Sequence, residues 1–404
     1  MMYEIQISNN YDFKAENYST HFPNLHKYPA TMLPQIGIEL FKELKIHKHR
    51  LLDPYCGTGS SVLAGMASGF SEFHGFDINP LAILIAKAKY TKLNKKKFLN
   101  YRKNVECVVY YEEKNISPPP VTNIDFWFSK RTIKDLSVIR NSILEEVDDK
   151  KYQSLFWLAF SETVRFVSYT RNSEFKLYRM TEEKRKSFYP DVFELYFKNL
   201  DKVLNTYIEI YLPLLKKQNF HFYSKEFTYK KTKYDVILTS PPYGDSKTTV
   251  AYGQFSTLSN EWIGFPNSRK VDSQLMGGKK VKTLYNKGVL SSPIKKINRV
   301  DQKRALEVSS FYMDLEKSIK EVAQAIIYKG FSIYIVGNRT VKKVTLPTDQ
   351  FIAEQFEKNG FRHVLTYERS ISSKVMPAQN SPTNVVGKKI NTMHKEYIIV
   401  CQKF

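Results

Sequence analysis

Two stretches hold residues whose types and spacing suit chemistry. In Thr239-Ser240-Pro241-Pro242-Tyr243-Gly244 a hydroxyl, two prolines and a phenol ring follow one another. Neither proline has an N–H and each fixes its own φ, while Ser240 is held extended by the proline after it. The outcome is a stiff corner whose carbonyls and one hydroxyl point outward, with an aromatic ring next in line. Acceptors for N–H bonds beside a stacking face suit a planar substrate that carries an amino group. The same residues also describe a plain proline-terminated strand with a surface tyrosine. The second stretch, Asp53-Pro54-Tyr55-Cys56-Gly57-Thr58-Gly59-Ser60, is a glycine-rich turn where the backbone can approach a ligand closely. About twenty residues on stands Asp77, at the spacing from which a carboxylate holds a ribose diol.

The elements that must position these residues read as an open α/β sheet. Tyr234-Asp235-Val236-Ile237-Leu238 is a short β-branched run that enters the corner as a strand. Leu51-Leu52 leads into the glycine turn, Ser61 to Ala67 continues it as a helix, and Phe73 to Asp77 is the next strand. Both stretches therefore lie at carboxyl ends of strands, where such sheets place ligands. Asn79 is a suitable N-cap and Pro80 a suitable first residue for a helix over 80–89, which leaves Asp77 in the loop above the sheet.

With Asp-Pro-x-Cys-Gly-x-Gly and Ser-Pro-Pro-Tyr in one chain, the sequence resembles the S-adenosylmethionine-dependent amino-methyltransferases of DNA. It is most similar to their cytosine-N4 branch, whose catalytic motif is Ser-Pro-Pro-Tyr; the adenine-N6 branch more often carries Asp-Pro-Pro-Tyr. The likeness covers residues 20 to 94, 219 to 262 and 305 to 404. It implies a Rossmann-like methyltransferase fold, a mostly parallel sheet with a terminal antiparallel hairpin. It further implies S-adenosylmethionine as cofactor, held by Asp53, Cys56, Gly57, Gly59 and Asp77, with Ile78 beside the adenine ring. The similar His-x-x-Pro stretch ahead of the helix at 35–44 lines the methionine end of the family's pocket, which assigns Tyr28 and Pro29. Ser240, Pro241, Pro242 and Tyr243 are then the catalytic residues. The family usually places an acid just after the third strand for the adenine amino group; here the positions offer Ser224 and Glu226.

Composition agrees with a nucleic-acid enzyme. A net charge of +22 and pI near 9.5 imply a polyanionic partner, most simply double-stranded DNA. No stretch of about 18 apolar residues and no secretory leader is present, so no membrane role is expected. Cys56, Cys107 and Cys401 are too far apart for a disulfide framework or a zinc site, and a reducing cytoplasm fits them. The eight histidines show no metal-ligand spacing, while 27 tyrosines and 27 phenylalanines leave many rings for base stacking.

Residues 1-94 and 219-404 read as the catalytic domain and 95-218 as a mostly helical insertion, with repeats such as Leu136, Ile139 and Ile143, or Leu155, Leu158 and Ala159. Within the insertion, the run from Val164 to Asn172 and on to Arg179 mixes basic, hydroxyl and aromatic side chains. A DNA-contacting surface and an ordinary solvated face both fit it. After Tyr243 come polar residues 245–249 and then Ala251 to Phe255, read as a lid. A basic loop spans 247–304, and its part from 269 to 304 holds 11 Lys or Arg against Asp272 and Asp301. Such a loop repels itself unless an anion neutralises it; a groove for DNA and a solvated face are its two readings. Two strands, 363–367 and 397–401, are expected to pair as the terminal hairpin, and residues 376–384 between them form a further family-like stretch.

The activity so implied is methyl transfer to the N4 amine of cytosine in duplex DNA, with a cognate restriction endonuclease as a possible partner. Transfer to adenine N6 is the nearest alternative. Carbon-5 methylation needs a cysteine nucleophile after a proline, which neither Cys56 nor Cys401 provides. A tRNA guanine-N2 methyltransferase usually has Asp before its prolines and an RNA-binding domain ahead of a glycine turn that here begins at residue 53. A DNA-reading subunit without catalysis is opposed by the intact corner and turn.

Overall fold

The computed structural model of the chain describes residues 3–14, 21–29, 31–46, 49–111, 116–171, 175–244, 251–371, 379–380, 390–391 and 394–404. Its main sheet uses β1 (Gln6–Ile7), β2 (Arg50–Asp53), β3 (Glu72–Asp77), β4 (Asn219–Ser224), β5 (Tyr234–Thr239) and β6 (Ile326–Val336). Next come a small hairpin of β7 (Thr340–Val341) and β8 (Val344–Thr345), β9 (Phe361–Ser370), the antiparallel pair β10 (Gln379–Asn380) and β11 (Ile390–Asn391), and β12 (Lys395–Lys403). Eight strands run in the order β1-β9-β12-β6-β5-β2-β3-β4. β12 is antiparallel to both β6 and β9, and the other neighbours pair parallel. This is the expected Rossmann-like sheet with its antiparallel hairpin. β12 does more than pair with β9: it inserts between β9 and β6, so both of its edges are satisfied.

The period of two along each strand divides the protein into two cores, one per sheet face. Leu51, Val236, Leu238, Ile333 and Ile335 belong to one buried cluster; Leu52, Ile237, Tyr334 and Ile399 belong to the other. On the first face lie α1 (Pro34–Glu43), α2 (Ser60–Ala67) and α3 (Pro80–Tyr90). As the sequence indicates, Asn79 caps α3, its Oδ1 accepting from Leu81 N at 3.2 Å, and Pro80 opens the helix.

The inserted segment is helical: α4 (Lys95–Tyr111), α5 (Ile124–Trp127), α6 (Lys130–Glu146), α7 (Lys150–Val167), α8 (Glu182–Lys186) and α9 (Val192–Thr206). Its apolar stripe, with Leu136, Ile139, Ile143, Leu155, Leu158 and Ala159, is buried in the same cluster as Leu51 and Val236. The insertion thus extends the core of the first face. No helix among the described residues is long and apolar enough to cross a membrane.

The basic stretch is more ordered than a loop. It follows α10 (Tyr252–Ile263) and contains α11 (Val271–Gln274) and α12 (Ser291–Val300), after which α13 (Gln302–Ala325) and α14 (Thr348–Lys358) cover the second face. Leu290, Ile294 and Ile297 are fully buried in the second core. A few well-spaced apolar residues therefore fold a segment whose charge pattern suggested a loop, and its lysines stay outside. Asp272, one of its two acids, accepts from the N–H groups of Gly253 and Gln254 at 2.8 and 3.1 Å, which ties α11 to the start of α10. The polar residues 245–249, and the stretch 376–384 apart from β10, lie outside the described residues.

Candidate active site

A cavity of about 170 Å³ opens at the carboxyl ends of β2, β3, β4 and β5. It is walled by both sequence motifs, so two stretches almost 190 residues apart form one site. Of the residues assigned to the cofactor, Tyr28, Asp53, Cys56, Gly57, Asp77 and Ile78 line it, while Pro29 and Gly59 do not. Of the four residues assigned to catalysis, Ser240 and Pro242 line it, while Pro241 and Tyr243 do not.

Asp53 joins the two motifs. Thr239 Oγ1 donates to its Oδ1 and Ser61 Oγ to its Oδ2, both at 2.5 Å, and Tyr55 N donates at 3.0 Å. One buried carboxylate therefore pins the end of β5, immediately before Ser240, to the glycine turn and to α2. Burial pushes its carboxyl up to about 6 against the pull of those bonds.

The turn itself is set by glycine. Gly57 and Gly59 have φ of +48° and +82°, the left-handed region that residues with a Cβ avoid. A Cβ on Gly57 would meet nothing within 4 Å, so strain rather than crowding selects glycine there. From beneath, Lys89 Nζ donates to Thr58 O at 3.2 Å and Tyr90 hydroxyl donates to Gly59 O at 2.5 Å.

Asp77 stands across from the turn. Gly57 N donates to its Oδ2 at 3.0 Å and Asn79 N to its Oδ1 at 2.8 Å. Burial pushes this carboxyl up to about 6; the two backbone bonds act the other way, and the charge of Asp53 adds to the rise. Asn79 is a buried hub, its Nδ2 donating to the Tyr28 hydroxyl and to Ser256 Oγ, both at 3.0 Å. The Tyr28 and Tyr252 rings stack with centroids 6.0 Å apart. Tyr252 lines the cavity from the first turn of α10, the place the sequence suggested for a lid.

Of the two positions offered after the third strand, Glu226 lines the cavity just beyond β4 and Ser224 does not. No local pattern pointed to the wall formed by Gln274, Leu275, Met276 and Lys279 with Asp314 and Lys317 of α13. Gly277 N donates to Asp314 Oδ2 at 2.9 Å and holds that segment in place. Only long-range packing brings it over the turn.

Elsewhere, sequence spacing showed no metal-ligand pattern, yet strand pairing sets His74 beside His221, with rings 4.5 Å apart. Glu72 is next to them, but Arg50 Nε donates to it at 2.8 Å and His74 Nε2 lies 3.0 Å from it. That carboxylate is committed to an ion pair, at the end of β3 away from the cavity.

The chain is 39% identical over 414 residues to type II methyltransferase M.MvaI of Kocuria varians, covering 94% of this chain and 90% of that protein. It belongs to the S-adenosylmethionine-dependent DNA methyltransferases. No family model matches the chain. Among solved structures, a protein assigned as a DNA modification methylase from Thermus thermophilus is 22% identical with a TM-score of 0.17, covering 23% of this chain and 37% of that one. The rRNA methyltransferase aviRa of Streptomyces viridochromogenes is 9% identical with a TM-score of 0.30, covering 93% and 88%. Those two likenesses are too slight to carry a conclusion.

The residues present fit S-adenosylmethionine, the cofactor of this methyltransferase. The turn leaves its backbone open to a ligand at Gly57, and Asp77 would supply an acceptor at the strand end for a ribose diol. Asp77→Ala is expected to weaken cofactor binding by about 1–3 kcal/mol, for a ligand hydroxyl without its charged acceptor. The sign of the pH dependence follows from the raised carboxyl. Above about pH 6 Asp77 is ionised and accepts; as the pH falls through that value it is protonated and affinity drops. Calorimetry of the cofactor at pH 5 and pH 7.5 tests this, and equal affinity in the folded Asp77→Ala variant would remove Asp77 from the site.

Proposed function

We propose that this DNA methyltransferase acts on the exocyclic N4 amine of cytosine in double-stranded DNA, as the modification enzyme of a restriction-modification system. The observation that carries the reading is the placement of Ser240 on the wall of the cavity that Asp77 and the glycine turn also line. Cytosine is preferred over adenine on the resemblance of Ser-Pro-Pro-Tyr to the cytosine-N4 branch.

The bound cofactor supplies an electrophilic methyl group on a sulfonium. The chain's own residues supply the orientation of the amine, whose lone pair is delocalised into the base and is a poor nucleophile. Hydrogen bonds from the amine to Ser240 Oγ and to the Pro241 carbonyl fix its direction and localise that lone pair. The Tyr243 ring stacks on the base. No covalent intermediate is required. An amine inside a duplex is out of reach, so the base is flipped out, at a cost of a few kcal/mol.

The basic stretch and the insertion hold the DNA in this reading. Lys279, Lys280 and Lys282 are exposed, and Lys279 is at the cavity wall. In the insertion Arg165 turns inward, its guanidinium 4.4 Å over the Phe255 ring and donating to Phe255 O at 3.2 Å. Thr170 and Arg179 instead pair as an antiparallel bridge, and Phe175 and Tyr178 beside it are exposed. This small hairpin adjoins α10, with Leu177 N donating to Gln254 Oε1 at 3.3 Å, so it is the part of the insertion proposed to meet the target. Neutralising Lys279, Lys280 and Lys282 together is expected to flatten the salt dependence of DNA binding by about 0.9 per lost phosphate contact. An unchanged slope would return those lysines to a solvated face. The whole reading is tested by methylome sequencing of DNA from cells that express the chain in their cytoplasm. N4-methylcytosine at one short recurrent site is the expected result.

A further inference from the structure

Ser240 is a neutral residue where an aspartate would be the stronger acceptor for an amine. The structure shows where a negative charge stands instead. Tyr243 hydroxyl donates to Glu396 Oε1 at 2.9 Å. With its proton so committed, it accepts from Ser240 Oγ at 3.2 Å. Ser240 Oγ thus directs its own O–H toward the tyrosine, and its lone pairs remain the face it offers to a donor from the cavity. Each donor in this chain points the same way, toward the carboxylate.

Glu396 is deeply buried and fixed. Its Oε2 accepts from Arg369 Nη1 at 2.5 Å, and both residues are 5% or less exposed. Glu396 and Arg369 are directly opposite on β12 and β9. Arg369 is held in turn by Tyr11 O, to which its Nε donates at 2.7 Å. In a poorly polarisable interior a directional chain of hydrogen bonds strengthens each member.

We infer that Glu396 is a positioning residue for methyl transfer: acting through the Tyr243 hydroxyl, it orients and polarises Ser240 as the acceptor for the target amine. The negative charge thus stands two hydroxyls from the target amine, on β12. Tyr243 then has two separable parts, a ring for the base and a hydroxyl for Ser240. This inference rests on the amine-methylation reading given above.

Tyr243→Phe separates the two, because it keeps the ring and the Arg369–Glu396 pair and removes the hydroxyl that links Glu396 to Ser240. Single-turnover methyl transfer to duplex DNA by the full chain is expected to slow about 10–100-fold. Cofactor and DNA dissociation constants should stay unchanged, a split that a loss of folding would not produce. Glu396→Gln keeps an acceptor for the tyrosine without the charge and should slow the same step. The double variant should be no slower than Tyr243→Phe alone, since both act on one path. A Tyr243→Phe rate equal to the parent, or losses that multiply in the double variant, would overturn the relay. Failure of the amine-methylation reading looks different: the unmodified chain itself would place no methyl group on DNA.

Discussion

Tyr243→Ala is expected to lower methyl transfer to DNA by about 100-fold or more, the scale of a misplaced reacting group, while cofactor binding survives. The structure explains why the two effects separate. Tyr243 is outside the cavity wall that Asp77, Gly57 and Tyr28 share, so removing it leaves the cofactor's contacts in place. In the proposed reading, what is lost is the ring that would stack on the base, worth about 1–3 kcal/mol in comparable stacks, together with the hydroxyl bonded to Ser240. Arg369 and Glu396 retain each other, so the folded core should tolerate the change, which a thermal melt would verify. Transfer at the parent rate would show that Tyr243 takes no part in holding the base.

Gly59→Ala is expected to act in the opposite manner, on the fold and the cofactor together. Gly59 has φ of +82°, and a Cβ there would lie 2.7 Å from Cε2 of Tyr90. That ring cannot swing aside cheaply: it is buried, and its hydroxyl is bonded to Gly59 O. Left-handed strain costs about 1–2 kcal/mol and overpacking about 1–3 kcal/mol more. Urea unfolding should show a lower midpoint, with cofactor affinity reduced as the turn shifts. An unchanged midpoint and affinity would mean that the turn is looser than its bonds suggest.

How much of this was legible before the structure depends on the range of the interactions involved. The strand, turn, helix and acid from Leu51 to Asp77 are local, fixed by glycine φ, proline geometry and alternation, and sequence was enough to read them. The corner at Ser240 was readable for the same reason. The cap at Asn79 was visible too, but not its bonds to Tyr28 and Ser256, which join segments far apart in the chain. Charge misled at residues 269–304, because Leu290, Ile294 and Ile297 outweigh the lysines around them once a core is available. Arg165, in a run that suggested DNA contact, stacks inward on Phe255 instead. Glu396 was invisible: its importance exists only because β12 inserts between β6 and β9 and sets it opposite Arg369. Cross-strand pairing 27 residues apart, from a segment with no motif, leaves no local pattern to find.

Cytosine and adenine each present an exocyclic amine beside a ring nitrogen, and the corner's acceptors serve either. The decisive measurement is transfer from tritiated S-adenosylmethionine to duplex DNA by the purified full chain, with the DNA digested to nucleosides and the label resolved by chromatography. The expected result is tritium in N4-methylcytosine. Tritium in N6-methyladenine would contradict the base assignment, and tritium accepted by tRNA but not by DNA would contradict the substrate as well.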